Sequence, residues 1–232
     1  MLLHLLIVLL VVVMVNLGFW QLRRLHERRT SNDEVRARTT APAAPIDSVA
    51  TRTISGDALS ALRYRNVTAR GTYDTAKSSV VLSRVQDGGP GGWVVTPLRL
   101  DPAHVSGDSP TTVLVLRGFV RLNPDGSAPD PAPPTGAVDV SGYTLAISGF
   151  DKIAKHDLSA LNATAGGPPV VVQAKATTPA DDASLEPIPL PTLDDGPHLS
   201  YAVQWFLFST IAAVGYPFAL RRAASKREAD PE

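Results

Sequence analysis

A chain of 232 residues without a single cysteine has no means of building a thiolate-ligated zinc or iron–sulfur centre, a CxxC redox pair or a disulfide framework. Its 22 basic and 22 acidic residues cancel to a formal charge of zero, so no polyanion-seeking field is present and nucleic acid is not an expected partner. Apolar residues make up 44% of the chain and are densest at its two ends, and that distribution is the first organising signal.

Residues 1–20 form the first apolar stretch, interrupted only by His4 and Asn16 as strongly polar side chains. A second runs from about 200 to 220 and is uncharged from Leu199 to Leu220. A hydrocarbon core roughly 30 Å thick needs about 20 apolar helical residues, so both read as transmembrane helices. No Lys or Arg precedes the first stretch, it is long, and no small-x-small site follows it, so an anchor is expected rather than a cleaved leader. Arg221, Arg222, Lys226 and Arg227 behind the second span place the C-terminus in the cytoplasm. Arg23, Arg24, Arg28 and Arg29 behind the first span argue the other way. Long domains translocate largely regardless of charge, so the C-terminal cluster decides. The expectation is a two-pass membrane protein with cytoplasmic termini and the main domain outside.

Residues 21–40 lack Gly and Pro and extend the helix beyond the bilayer, until Pro42 and Pro45 break it. From residue 41 to 178 the signal is that of strands. Segments 63–73, 79–84, 93–100, 112–121, 137–150 and 170–176 are rich in Val, Thr, Tyr and Leu between turn residues, with 88–92 and 123–126 as connections. The predicted fold is therefore membrane α + β: two transmembrane helices framing an extracytoplasmic, mainly antiparallel β domain, barrel- or sandwich-like, with a short helix within 51–61. Residues 179–197, with five prolines among acidic side chains, read as an extended tether to the second span at 198–220. A basic tail occupies 221–232.

Antiparallel spans would bring Asn16, Trp20 and Gln21 level with His198, Tyr201, Gln204 and Trp205. His198, Tyr201, Trp205 and Phe208 recur at helical spacing on one face, which suits the docking of a flat apolar metal complex with His198 as axial ligand. Arg23 and Arg24 on the facing helix would pair with its carboxylates. Spacing alone favours the plainer alternative, an interfacial aromatic belt completed by a histidine. His4 belongs to the other membrane face and reads as a hydrated polar group, and His26, His104 and His156 read as surface residues. GxSxG, HExxH and phosphate-loop patterns are missing, and the acidic pairs Asp181-Asp182 and Asp194-Asp195 read as solvated carboxylates. No enzymatic activity is expected.

Several phrases match a known family in order. Leu17-Gly18-Phe19-Trp20-Gln21-Leu22-x-Arg24 resembles the opening signature of the Surf1 proteins. Arg65-Asn66-Val67, Gly71-x-Tyr73, the run from Gly92 to Leu98 and the run from Val113 to Val120 follow, and His198-Leu199-Ser200-Tyr201-Ala202-Val203-Gln204-Trp205 closes the match. The resemblance implies a bacterial cell membrane as the location, and an accessory factor for biogenesis of haem-copper cytochrome oxidase, binding haem a transiently and aiding its insertion. It makes His198 the haem-iron ligand, with Tyr201, Trp205 and Trp20 as walls and Arg23 or Arg24 on the propionates. The partners it implies are oxidase subunit I and the oxidase complex, membrane lipid and haem a synthase. The alternative is a structural assembly factor or accessory subunit that binds no haem, docking through Gly18, Ala212, Ala213 and Gly215. Relatives often carry Asn two residues before this His, where Gly196 stands here. Arg117, Trp93 and Pro97 are read as structural.

Overall fold

The computed structural model describes residues 1–103, 105, 107–146, 161 and 165–229. His104, His156 and the end of the strand expected over 137–150 lie outside the described residues. The chain forms two compact units, one made of Met1–Glu34 with Thr192–Glu232 and the other of Val35–Pro191.

The first unit is a helical hairpin. Helix α1 runs unbroken over Leu2–Thr40. It contributes buried or half-buried residues at Ile7, Val11, Met14, Gly18, Gln21, Leu25 and Asn32. The last helix, which we call α4, spans His198–Ala229 and answers with His198, Ala202, Trp205, Ser209, Ala212 and Tyr216. Both sets follow a seven-residue repeat, stepping by three or four residues except from Leu25 to Asn32, the pattern of a left-handed two-helix seam. Both helices are long and apolar enough to cross a membrane, with mean hydropathies of 2.8 and 1.4 over their best windows. Their outward faces expose Leu, Val, Ile and Phe side chains, as lipid-facing helices do.

The second unit is a seven-stranded, mainly antiparallel sheet. Its strands are β1 (Ala44–Pro45), β2 (Asn66–Tyr73), β3 (Ser79–Gln86), β4 (Gly89–Leu100), β5 (Thr112–Arg121), β6 (Ala137–Ala146) and β7 (Val170–Thr178). The spatial order is β1-β2-β6-β7-β5-β4-β3, and a further pairing of β2 with β4 closes five of these strands into a barrel. The β5–β7 and β1–β2 pairs are parallel. Alternate residues Val67, Ala69, Tyr73, Leu98, Leu100, Val113, Val115, Val138, Val140, Val170 and Val172 make one core cluster. Ile46 and Ala50 plug it from α2 (Ile46–Val49) and its cap, and Leu59 and Leu62 from α3 (Gly56–Ala61) and its cap. The opposite strand faces carry a second cluster of Val81, Val95, Leu114, Leu116, Leu145 and Val171, covered by Ile188, Leu190 and Val35. Strand β5 is thus buried on both faces, which accounts for its uninterrupted apolar run from Val113 to Leu116.

Two local features differ from the sequence expectation. Strand β4 begins at Gly89, so most of the glycine-rich stretch expected to be a connection is strand, and the turn shrinks to Asp87 and Gly88. Both have positive φ, 48° and 75°, the geometry of a two-residue hairpin turn. Gly91 stays in the strand because a Cβ there would lie 2.2 Å from the Phe119 ring. The helix expected within 51–61 is confined to Gly56–Ala61, because the preceding residues hold Asp108 instead: Arg52 N–H donates to its carbonyl and Thr53 Oγ1 bonds its carboxylate.

The proline-rich segment after β7 is extended and held along the sheet. Phe119 and Glu186 exchange two backbone hydrogen bonds of 2.9 and 2.8 Å, and Arg121 grips the Glu186 carboxylate at 2.6 and 3.1 Å. Gln173 Nε2 donates to the Ile188 carbonyl and Gln86 Nε2 to that of Pro187. Arg117, with a fully buried side chain, donates through Nε to Asp181 at 2.9 Å and through Nη1 to the Pro131 carbonyl at 2.8 Å. Asp181 is therefore an ion-pair partner and not the solvated carboxylate its surroundings implied. Its neighbour Asp182 is held below the usual carboxylate range by the Ser184 backbone N–H and hydroxyl.

Candidate functional site

Helix α4 starts where Gly196 takes a left-handed φ of +64° and the Pro197 carbonyl accepts the first helical bonds, from Tyr201 N–H and Ser200 Oγ. His198 is the first residue of the helix and half-buried in the seam. Its Nδ1 lies 2.9 Å from Gln21 Oε1 on α1. An amide oxygen only accepts, so with Gln21 Oε1 as the partner Nδ1 is the donor, and in the neutral imidazole Nε2 is then left with its lone pair. That is the tautomer of a metal-binding imidazole whose second nitrogen is anchored by an outer partner. Beside Nε2 stands Gly196, where a Cβ would sit 3.6 Å from that nitrogen, so glycine keeps the approach clear.

The turn leading into His198 is clamped to α1. Arg28 Nε and the buried Asn32 amide both donate to the Asp194 carbonyl, at 3.2 and 2.8 Å. Arg29 pairs with Asp195 at 2.8 Å, and Asp194 Oδ1 caps the Gly196 N–H at 3.0 Å. Asn32 falls one repeat after Leu25 and two after Gly18, so its role was readable only from the heptad. The carboxylates of 194 and 195 remain largely solvent-exposed, as expected, while pairing with Arg28 and Arg29 at the surface.

The remaining predicted site residues are placed as follows. Trp20 and Tyr201 are exposed, 46% and 47%, on the outer surface of the hairpin, while Trp205 is half-buried and meets Phe208 edge-on with ring centres 6.3 Å apart. Phe19 packs edge-on against Phe206 at 5.3 Å, and a Cβ on Gly18 would strike the Phe206 ring at 2.6 Å, so this glycine sets how closely the helices approach. Arg23 and Arg24 are exposed, and Arg24 pairs with Glu27 at 2.7 Å. An exposed i,i+3 pair of this kind is worth a few tenths of a kcal/mol and exchanges readily for another anion. Asn16 turns its amide back to the Val12 carbonyl of its own helix. His4 is not a lone hydrated group: its Nδ1 and the Tyr216 hydroxyl lie 2.6 Å apart, a second polar contact near the other end of the seam.

The site thus offers an imidazole with its Nε2 side clear of Gly196, exposed aromatic flanks, and the exposed guanidinium groups of Arg23 and Arg24, the latter in a weak pair.

Comparison with known proteins places the sequence in a family. The SURF1 family profile matches residues 8–210. An uncharacterised SURF1-like protein of Mycobacterium bovis is 25% identical over 227 residues, covering 90% of this chain and 80% of that protein. Uncharacterised SURF1-like proteins of two Mycobacterium tuberculosis strains match to the same extent. The profile reaches from the first apolar helix through the β domain into the second, and the chain belongs to the SURF1 family, a membrane-associated family of cytochrome oxidase assembly.

Proposed function

We propose that this protein carries haem a to the catalytic subunit of a haem-copper oxidase, with His198 Nε2 as the axial ligand. The observation that supports this reading is the Gln21 contact at 2.9 Å, which suits Nδ1 as donor and leaves Nε2 of the neutral imidazole to face a metal. The Arg28, Arg29 and Asn32 contacts hold the turn before His198, so the ligand is positioned by α1 rather than by a free loop. Trp20 and Tyr201 supply apolar flanks, Trp205 supports α4 from the seam, and Arg23 and Arg24 offer cations to propionates. When bound, the haem supplies only an iron to be ligated and a charged rim to be oriented. A single protein ligand at an exposed site gives the modest affinity that a carrier needs in order to release. The basic cluster Arg221, Arg222, Lys226 and Arg227 supports cytoplasmic termini and a domain outside the cell membrane.

Full-length protein purified in detergent from cells that make haem a is expected to show its absorbance. His198→Ala should abolish it, and Gln21→Leu should weaken binding about 10- to 100-fold, the usual loss on removing an outer partner of a metal ligand. Full occupancy in His198→Ala would overturn the assignment. A second reading, an assembly factor that docks on the oxidase without haem, is favoured by the lipid-facing small residues of α4: Ala213 is exposed, and nothing lies within 4 Å of a Cβ built on Gly215. Stable co-purification with the oxidase, with no haem on the isolated chain from haem a-producing cells, would decide for it.

A further inference from the structure

Large exposed hydrophobic side chains occur almost wholly on α1 and α4, where lipid explains them. Within Val35–Pro191 the described exceptions are two, Leu82 at 41% and Val85 at 73% exposure, and both lie on β3. This strand ends the sheet order and pairs with β4 alone, so its other edge presents backbone N–H and C=O groups without a ladder partner among the described residues.

A bulge between Val81 and Arg84, with Ser83 at φ 63°, inserts one residue into β3. Regular alternation would put residues 82 and 85 on opposite faces; with the extra residue both become exposed on one face, while Val81, Arg84 and Gln86 fall on the other. Arg84 lies flat on the Trp93 indole, its guanidinium carbon 4.2 Å from the ring centre. Its Nε is buried without an acceptor, and burial lowers its pKa. Arg52, Arg70, Arg117 and Arg121 of the same domain each reach a carboxylate. Among the described residues Arg84 reaches none, although its guanidinium is already stacked and partly stripped of water, the state in which it best takes a bidentate carboxylate.

We propose that the free edge of β3 accepts an extended segment of another protein, with a carboxylate on the Arg84 face and aliphatic side chains on the Leu82 and Val85 face. Strand addition satisfies three needs together: the backbone row, the unpaired guanidinium and the two exposed aliphatic groups. Insertion of this edge into lipid would leave the backbone row unsatisfied. Pairing with a second copy would bring two unpaired guanidinium groups to one seam.

The test uses the full chain in detergent and a fluorescein-labelled peptide of alternating valine and glutamate, with valine–glutamine and valine–lysine peptides as controls. The glutamate peptide should bind saturably and slow amide exchange in β3, and Arg84→Gln should weaken it about tenfold, the scale of a lost charge-assisted pair. Leu82→Ser/Val85→Ser, two exposed positions with no core role, should weaken it similarly while near-ultraviolet circular dichroism stays unchanged. Absence of binding, equal binding of the lysine peptide, or unchanged affinity in both variants would overturn the proposal. So would displacement of the peptide by vesicles of anionic lipid, which would show a membrane contact instead.

Discussion

Tyr73 shows how one side chain reports on its surroundings. Its ring lies in the barrel core, the Arg117 guanidinium carbon stands 5.8 Å from its centre, and its hydroxyl makes no full hydrogen bond. Burial foremost, and the Asp181 charge next, push the phenol up to about 12, with Thr177 and Arg117 pulling weakly the other way. The neutral phenol is therefore the folded form. Its stabilising effect is complete below the unfolded value near 10 and is lost as pH rises toward 12, because the unfolded chain ionises first. Thermal melts of the full chain should lose stability between pH 10 and 12 at up to about 1.4 kcal/mol per pH unit, and Tyr73→Phe should remove that component while melting no lower than wild type at pH 7. A variant with an unchanged alkaline limb would contradict the assignment. None of this was legible beforehand: Tyr73 was visible as part of a Gly-x-Tyr phrase, but the Arg117–Asp181 pair joins residues 64 positions apart that share no periodic relation.

Among the elements, the barrel closes where β2 leaves β6 to meet β4, pairing Gly71 with Leu100 and Tyr73 with Leu98. A Cβ on Gly71 would lie 2.0 Å from the Arg99 carbonyl oxygen, a backbone atom that cannot move aside without opening the pairing. Gly71→Ala should cost about 3 kcal/mol, the upper range for overpacking a tight site, and read out as a lower unfolding midpoint with faster amide exchange in β2 and β4. Unchanged exchange would show that this closure is loose. Strand periodicity identified six of the seven strands because the core-facing residues alternate. The two-residue β1 carries no period, and the start of β4 was hidden because Gly and Pro normally punctuate. Here they permit close packing against Phe119 and Val80, a tertiary cause invisible to local propensity. Likewise the proline content of residues 179–191 gave extension correctly, but not the hydrogen bonds to β5 and β7.

At the scale of the whole molecule, apolar length and the two end motifs were enough to read a pair of spans and a β domain, since a hydrocarbon slab imposes its own ruler on sequence. Of the candidate site, His198 is legible from the closing motif and its surroundings less so: Gln21 stands level with His198 in the sequence, but which polar neighbour meets Nδ1 is set by side-chain geometry. Topology is directly accessible because the chain lacks cysteine. Single replacements Thr135→Cys in the β domain and Ala224→Cys behind the second span, both at exposed positions, should react oppositely with a membrane-impermeant maleimide in whole cells. Labelling of residue 135 alone is expected; labelling of residue 224 alone would invert the orientation.

The two polar contacts in the helical seam, His4 with Tyr216 and Gln21 with His198, act together as a gauge. The stretch of α1 between His4 and Gln21 measures about 26 Å at the helical rise, close to the roughly 30 Å depth of membrane hydrocarbon. In a bilayer of that depth each contact would fall near one boundary of the hydrocarbon, where a polar side chain is least costly. Because both are fixed to the same seven-residue phase, one residue inserted between them in α1 would rotate one contact by about 100° relative to the other and undo whichever closes second, whereas seven residues inserted in both helices would keep phase and length matched and demand a thicker membrane.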